Sequence, residues 1–122
     1  MGVVYHARYL VWLDMARTEY LRNAGTAYSK LEKSGILLVV GNLQIRYRSP
    51  AKYDELITVD CWVREAASRR VTFGYAVWGE DRRALLATAV TEMISLNSNF
   101  VPARLPGEVA GLLSPINDPV EL

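Results

Sequence analysis

The sequence predicts an α+β fold in which one long helix is wrapped by a curved antiparallel sheet. Three observations lead there. An early segment carries apolar residues at three- and four-residue steps, the period of a helix. After Gly35 the period changes to two, the alternation of strands, and it persists through about four runs. The links between these runs are too short for parallel crossovers, which need about a dozen residues or more.

From Ala7 to Ala24 the residues Tyr9, Trp12, Leu13, Ala16, Tyr20 and Leu21 recur at helical spacing. Asp14, Arg17, Thr18 and Arg22 are expected on the wetter flank. Gly25 then predicts a left-handed helix end. "TAYSKLEKSG" predicts a further short helical turn stopped at Gly35. In "NLQIRYR", Leu43, Ile45 and Tyr47 alternate with Gln44, Arg46 and Arg48. "LITVDCWVRE" sets Ile57, Val59, Cys61 and Val63 against Thr58, Asp60, Trp62 and Arg64, and "RVTFGYAVW" repeats the device with Val71, Phe73, Tyr75 and Val77. "RALLATAVTEMISLN" is a longer strand, apolar on both faces. The stretches "SPAKYDE", "EAASR" and "GEDR" break the runs. A sheet with one apolar face needs a cover, and only the first helix is long enough. The chain reads as a single domain over residues 1–122, with a loose tail from about residue 102 that carries Pro102, Pro106, Pro115 and Pro119.

Composition narrows the function. Apolar residues make up 51% and charged residues 22%, and fourteen basic against thirteen acidic side chains leave a charge of +1. A general nucleic-acid or membrane-surface binder would show a basic excess, so neither partner is expected. The longest apolar run, "GILLVVG", is far too short to cross a bilayer, and "YLVWL" lacks the flanks of a signal peptide. A cytoplasmic location is expected. Cys61 stands alone, so no intrachain disulfide or cysteine metal cluster can form, and its place in an apolar alternation predicts an inert thiol. No phosphate-cradling glycine loop, metal-ligand cluster or nucleophile elbow is present.

What remains is the stretch "GVVYHA", which leads His6, the one histidine, into the first turn of the helix. That turn leaves N–H groups without internal partners, and with the helix dipole they favour an anion, including an oxyanion forming on a carbonyl. Gly2 removes bulk where an acyl group would approach. On spacing alone the simpler reading is that His6 caps or packs at a helix start. Tyr5 either packs there or bonds a ligand.

"GVVYHARYLVWLDMARTEYLR", "IRYRSPAKYDELITV", "RRVTFGYAV" and "LLATAVTEMISLN" together resemble the hot-dog acyl-CoA thioesterases, in the 4-hydroxybenzoyl-CoA thioesterase-like branch that includes the Tol-Pal-associated enzymes. The resemblance implies an acyl-CoA hydrolase that releases free acid and CoA without metal or organic cofactor. It implies a homodimer with a continuous sheet, or a homotetramer, with acyl sites between subunits. Acyl carrier protein is a further partner under this resemblance. His6 falls on the family's histidine as the catalytic position, and Gly2, Val3, Val4 and Tyr5 fall on the segment that meets the substrate. Arg69 and Arg70 either bind CoA phosphates or form an exposed basic turn.

One element of the family pattern is absent. The family carries an aspartate three residues before the position of Gly2, at the end of a first strand, and this sequence contains neither. A carboxylate must attack the thioester or activate water, since imidazole alone lacks a positioned nucleophile. The expectation is an N-terminally shortened chain. The alternatives are a non-catalytic acyl-CoA or acyl-carrier-protein binder, or a substitute carboxylate. Asp14 and Glu19 are the nearest in sequence, but they stand about 12 Å and about 20 Å beyond His6 along the helix axis.

Overall fold

The computed structural model describes residues 7–25 and 28–122. Helix α1 spans Arg8–Asn23 and helix α2 spans Tyr28–Lys33. Strands β1 (Leu37–Tyr47), β2 (Thr58–Ala66), β3 (Arg70–Trp78) and β4 (Leu85–Leu96) form one sheet. Their order is β1-β4-β3-β2, and every pairing is antiparallel. A single turn, α3 (Gly107–Ala110), follows.

Helix α1 covers one face of the sheet, here called the inner face. Its buried stripe is Tyr9, Leu13, Arg17 and Leu21, a step of four residues that keeps side chains on one side of a helix. Tyr20 meets Phe73 edge to face at 5.7 Å, and Arg17 donates a hydrogen bond to the Tyr75 phenol at 3.0 Å. Phe73, Tyr75, Val63, Val71 and Ala87 lose all exposure beneath it. Roughly 1.5–3 kcal/mol follows from burying each large apolar side chain, which is why the helix stays docked. Gly25 (φ +94°) and Gly35 (φ +83°) both take the left-handed conformation expected after α1 and α2.

Arg17 departs from its expected wet flank. It lies on the buried stripe and is only 5% exposed. Its guanidinium reaches Asp14 on the same helix as well as Tyr75, and the Tyr75 phenol in turn shares a 2.7 Å hydrogen bond with Thr91. Burial pushes the Tyr75 phenol up to about 12, with the nearby guanidinium opposing the shift. The i, i+4 period therefore ran through a charged residue, and an apolar-only reading passed over it.

Strand β1 also begins earlier than the alternation suggested. Leu37–Val40 is a continuous apolar run, and the register slips between Val40 and Asn42 at Gly41. A Cβ on Gly41 would lie 2.6 Å from Ile94 Cγ1, so the close approach of the two strands depends on this glycine.

The segment after Pro102, expected to be loose, lies against the domain. Leu105 N–H donates to the Ser68 carbonyl, and Leu105 and Leu113 are buried. Further on, Ile116 N–H donates to the Val63 carbonyl at 3.0 Å. Asp118 then accepts hydrogen bonds from Trp62 Nε1 at 2.9 Å and from Arg64 Nε and Nη2, each at 3.0 Å. At the far side, Arg48 donates to the Glu121 carbonyl and Arg46 to the Leu122 carbonyl. Residues 116–122 thus form a strap across the outer face, from β2 to β1. Crossing three inter-strand spacings takes roughly 14 Å, about the full reach of four extended residues. Trp62, placed by alternation among polar neighbours, is consequently 3% exposed.

Candidate active site

The start of α1 is the anion-favouring end that the sequence singled out. Ala7 occupies the N-cap and supplies no side-chain hydrogen bond, and the first turn holds no acidic residue. The helix itself therefore supplies no acidic side chain to the first turn of its described part. Tyr9, in the first turn, fixes the surroundings. Its phenol accepts a hydrogen bond from the buried Ala51 N–H at 3.2 Å, and burial raises its pKa. Its ring stands edge-on to Trp12 at 4.9 Å and to Tyr47 at 5.0 Å. The i, i+3 step of the helix and the inward turn of Tyr47 at the end of β1 bring the three rings together. The result is an apolar, aromatic wall beside the first turn of α1.

Trp12 also opens a cavity of about 720 Å³ between α1 and the outer edge of β2. Met15, Ala16 and Tyr20 line one side, and Ile57, Val59 and Cys61 the other. Three carboxylates stand at its rim: Glu19, Glu55 and Asp60. Glu19 is paired with Arg22 at 2.6 Å. Glu55 accepts from the backbone N–H groups of Lys52 and Glu80, which hold its carboxyl below the usual range. Asp60 accepts two hydrogen bonds from Arg82, each at 2.7 Å, and one from Trp78 Nε1 at 3.1 Å. The Arg82 bonds are the main reason its pKa is depressed. A carboxylate so engaged is a poor base. Cys61 is pushed up to about 12 by burial, which fits the inert thiol expected from its position.

The Asp60 pair makes a pH prediction. A depressed folded pKa stabilises the fold above the ordinary aspartate pKa of about 3.9, and that contribution is lost as pH falls through the lower folded value. Asp60→Asn is therefore expected to destabilise the protein near neutrality and to converge on the parent in acid. Urea unfolding across a pH series checks it; an offset that stays constant into acid would contradict the assignment.

Gly2, Val3, Val4, Tyr5 and His6 lie outside the described residues. Arg69 and Arg70 form the exposed β2–β3 turn, where Arg70 reaches Glu65 at 3.9 Å. Tyr47, at the helix start, aligns with Ala87 and through it with Val77. From Val77 to Arg70 is roughly 23 Å of strand, so the two arginines stand at the opposite end of the sheet from the start of α1. Sequence reasoning missed the Tyr9–Ala51 bond and the role of Tyr47, because they depend on the end of β1 and the loop after it packing against the helix.

Comparison with known proteins places this geometry. The family model described as Thioesterase superfamily matches residues 1–86. The chain is 37% identical over 104 residues to the putative acyl-CoA thioesterase YneP of Bacillus subtilis, covering 85% of this chain and 75% of that protein. It is 36% identical over 109 residues to the acyl-CoA thioesterase YbgC of Haemophilus influenzae, covering 88% and 79%. Among solved structures, the DHNA-CoA thioesterase of Staphylococcus aureus superposes with a TM-score of 0.81 at 34% identity, covering 86% of this chain and 70% of that one. A hypothetical protein from Thermus thermophilus superposes with a TM-score of 0.85 at 34% identity, covering 93% and 85%. A long helix on an antiparallel sheet and these matches together make the chain a member of the thioesterase superfamily, with its hot-dog fold.

Proposed function

We propose that this protein acts on acyl-CoA thioesters, hydrolysing them to free acid and CoA. The observation that carries this reading is the first turn of α1 beside the Tyr9–Trp12–Tyr47 wall, in a chain with named acyl-CoA thioesterases among its relatives. The helix N–H groups would polarise the thioester carbonyl and hold the developing oxyanion. The aromatic wall would seat the acyl group and exclude water. Gly2 to Tyr5 would meet the substrate and His6 would position it. The attacking carboxylate is, on this reading, the family aspartate three residues before Gly2, a position outside this sequence.

The rim carboxylates Glu19, Glu55 and Asp60 are all engaged, which favours a second reading for these 122 residues: binding of acyl-CoA or acyl carrier protein without turnover. A panel of acyl-CoA esters separates the two. Thiol release that disappears in His6→Ala supports hydrolysis; calorimetric binding without release, together with no aspartate codon three positions before Gly2 in the upstream DNA, supports the binding module. Neither binding nor release on any ester would overturn both. An in-frame aspartate codon three positions before Gly2 in the upstream DNA is the further expectation.

Association of two copies through β1 completes the proposal. This edge strand exposes Val39, Val40, Leu43 and Tyr47, apolar side chains suited to cover by a second chain. The sites would then lie near the subunit boundary, and a tetramer would add a second interface. Arg69 and Arg70, remote from their own helix start, would serve CoA phosphates only at a neighbouring subunit's site. The proposed compartment is the cytoplasm.

A further inference from the structure

We propose that the side of α1 turned away from the sheet is a contact between copies of this chain, in which two α1 helices pack antiparallel and join one β1-paired dimer to another. Arg8, Val11, Met15, Thr18 and Arg22 follow steps of three and four residues. They therefore form one stripe along α1, opposite the buried Tyr9, Leu13 and Leu21. At its middle stand Val11, 49% exposed, and Met15, 61% exposed, neighbours one turn apart. Thr18 brings no unmet donor to the stripe, because its hydroxyl donates to the Asp14 carbonyl at 2.8 Å.

What this stripe fits is a second copy of itself. A two-fold axis crossing α1 near Leu13 sets Val11 against Met15 of the other copy, and the same pair recurs on the far side of the axis. It also brings Arg8 level with Glu19 of the other copy, to within one residue, or about 1.5 Å, along the helix. Arg8 has no ion-pair partner among the described residues. Glu19 takes Arg22 on Oε1 at 2.6 Å, so its second oxygen can accept another guanidinium. The contact is then an apolar centre closed at both ends by an ion pair, with the two helix dipoles opposed. The outer face of the sheet is not open in the same way, since residues 116–122 cross it. One helix pair alone is a small contact, but two β1-paired dimers set helix side to helix side make it twice. The proposal rests on the β1 association described above and not on hydrolysis.

The full chain is followed by analytical ultracentrifugation over a concentration series. Four-chain assemblies are expected. Met15→Glu is expected to leave two-chain assemblies with an unchanged melting curve, the dissociation constant for four chains rising at least tenfold. Exchange of charge is the sharper measurement. Arg8→Glu and Glu19→Arg each set like charges together and weaken the assembly several-fold. Combined in one chain, they form the same pair with its signs reversed and restore the assembly. Added salt narrows the gap between the single and combined variants. A parent chain that stops at two copies, and falls to one in Met15→Glu, keeps the α1 contact and overturns the β1 pairing. A parent chain that never exceeds one copy overturns the α1 contact. So does an assembly that Met15→Glu leaves unchanged, or a combined variant no better than the single ones. Thioester hydrolysis plays no part in this readout, so either reading can fail alone.

Discussion

Arg17→Ala is expected to cost about 3 kcal/mol of folding stability, while Arg17→Met costs about 1 kcal/mol or less. The asymmetry follows from what each variant leaves behind. Removing a buried charge is most damaging when its counter-charge stays buried, but Asp14 is 67% exposed at its side chain and can turn to water. The Tyr75 phenol keeps its 2.7 Å bond with Thr91. What alanine cannot replace is the volume of the arginine stem between α1 and β3, so a cavity opens. Methionine fills most of that volume. Urea unfolding of the two variants decides the matter. Equal losses for alanine and methionine would mean that the charge itself, rather than the packed stem, holds this part of the core together.

Gly74→Ala is the second large effect, at about 2–3 kcal/mol. The added methyl would lie 2.5 Å from Trp62 Cε2 and 2.7 Å from Trp62 Nε1. An indole is rigid, so the ring must lift away from the sheet. Lifting it breaks the bond to Asp118 and loosens the strap. Lower backbone entropy in the unfolded alanine chain offsets only about 0.4–1 kcal/mol. If Trp62 is the cause, the penalty shrinks sharply in a Trp62→Leu background, because two residues in contact are not additive. An unchanged penalty there would place the strain elsewhere.

The same residues show where sequence reading holds and where it stops. Helix α1 was legible because one local period, ended by Gly25, dictates both its length and its buried face. Three of the four strands were legible for the same reason. The first half of β1 was not, since Gly41 shifts the register and the run before it never alternates. Trp62 has polar alternation partners yet is buried, because residues more than fifty positions later cross above it. Four prolines made that later segment read as loose; its hydrogen bonds to Val63, Trp62, Arg64, Arg46 and Arg48 all come from distant parts of the chain. At the site, the helix start was readable from local chemistry. The wall of Tyr9, Trp12 and Tyr47 required knowing which strand ends beside which turn.

The trench between α1 and β2 bears on how the protein behaves at high concentration. An edge strand beside an apolar trench is a template for misassembly, inviting copies to stack edge to edge. One acid at its rim is placed to act as a gatekeeper against that outcome. Glu19 and Asp60 are matched by Arg22 and Arg82, but Glu55 is held by main-chain N–H groups and so puts an unneutralised negative charge beside the trench on every copy.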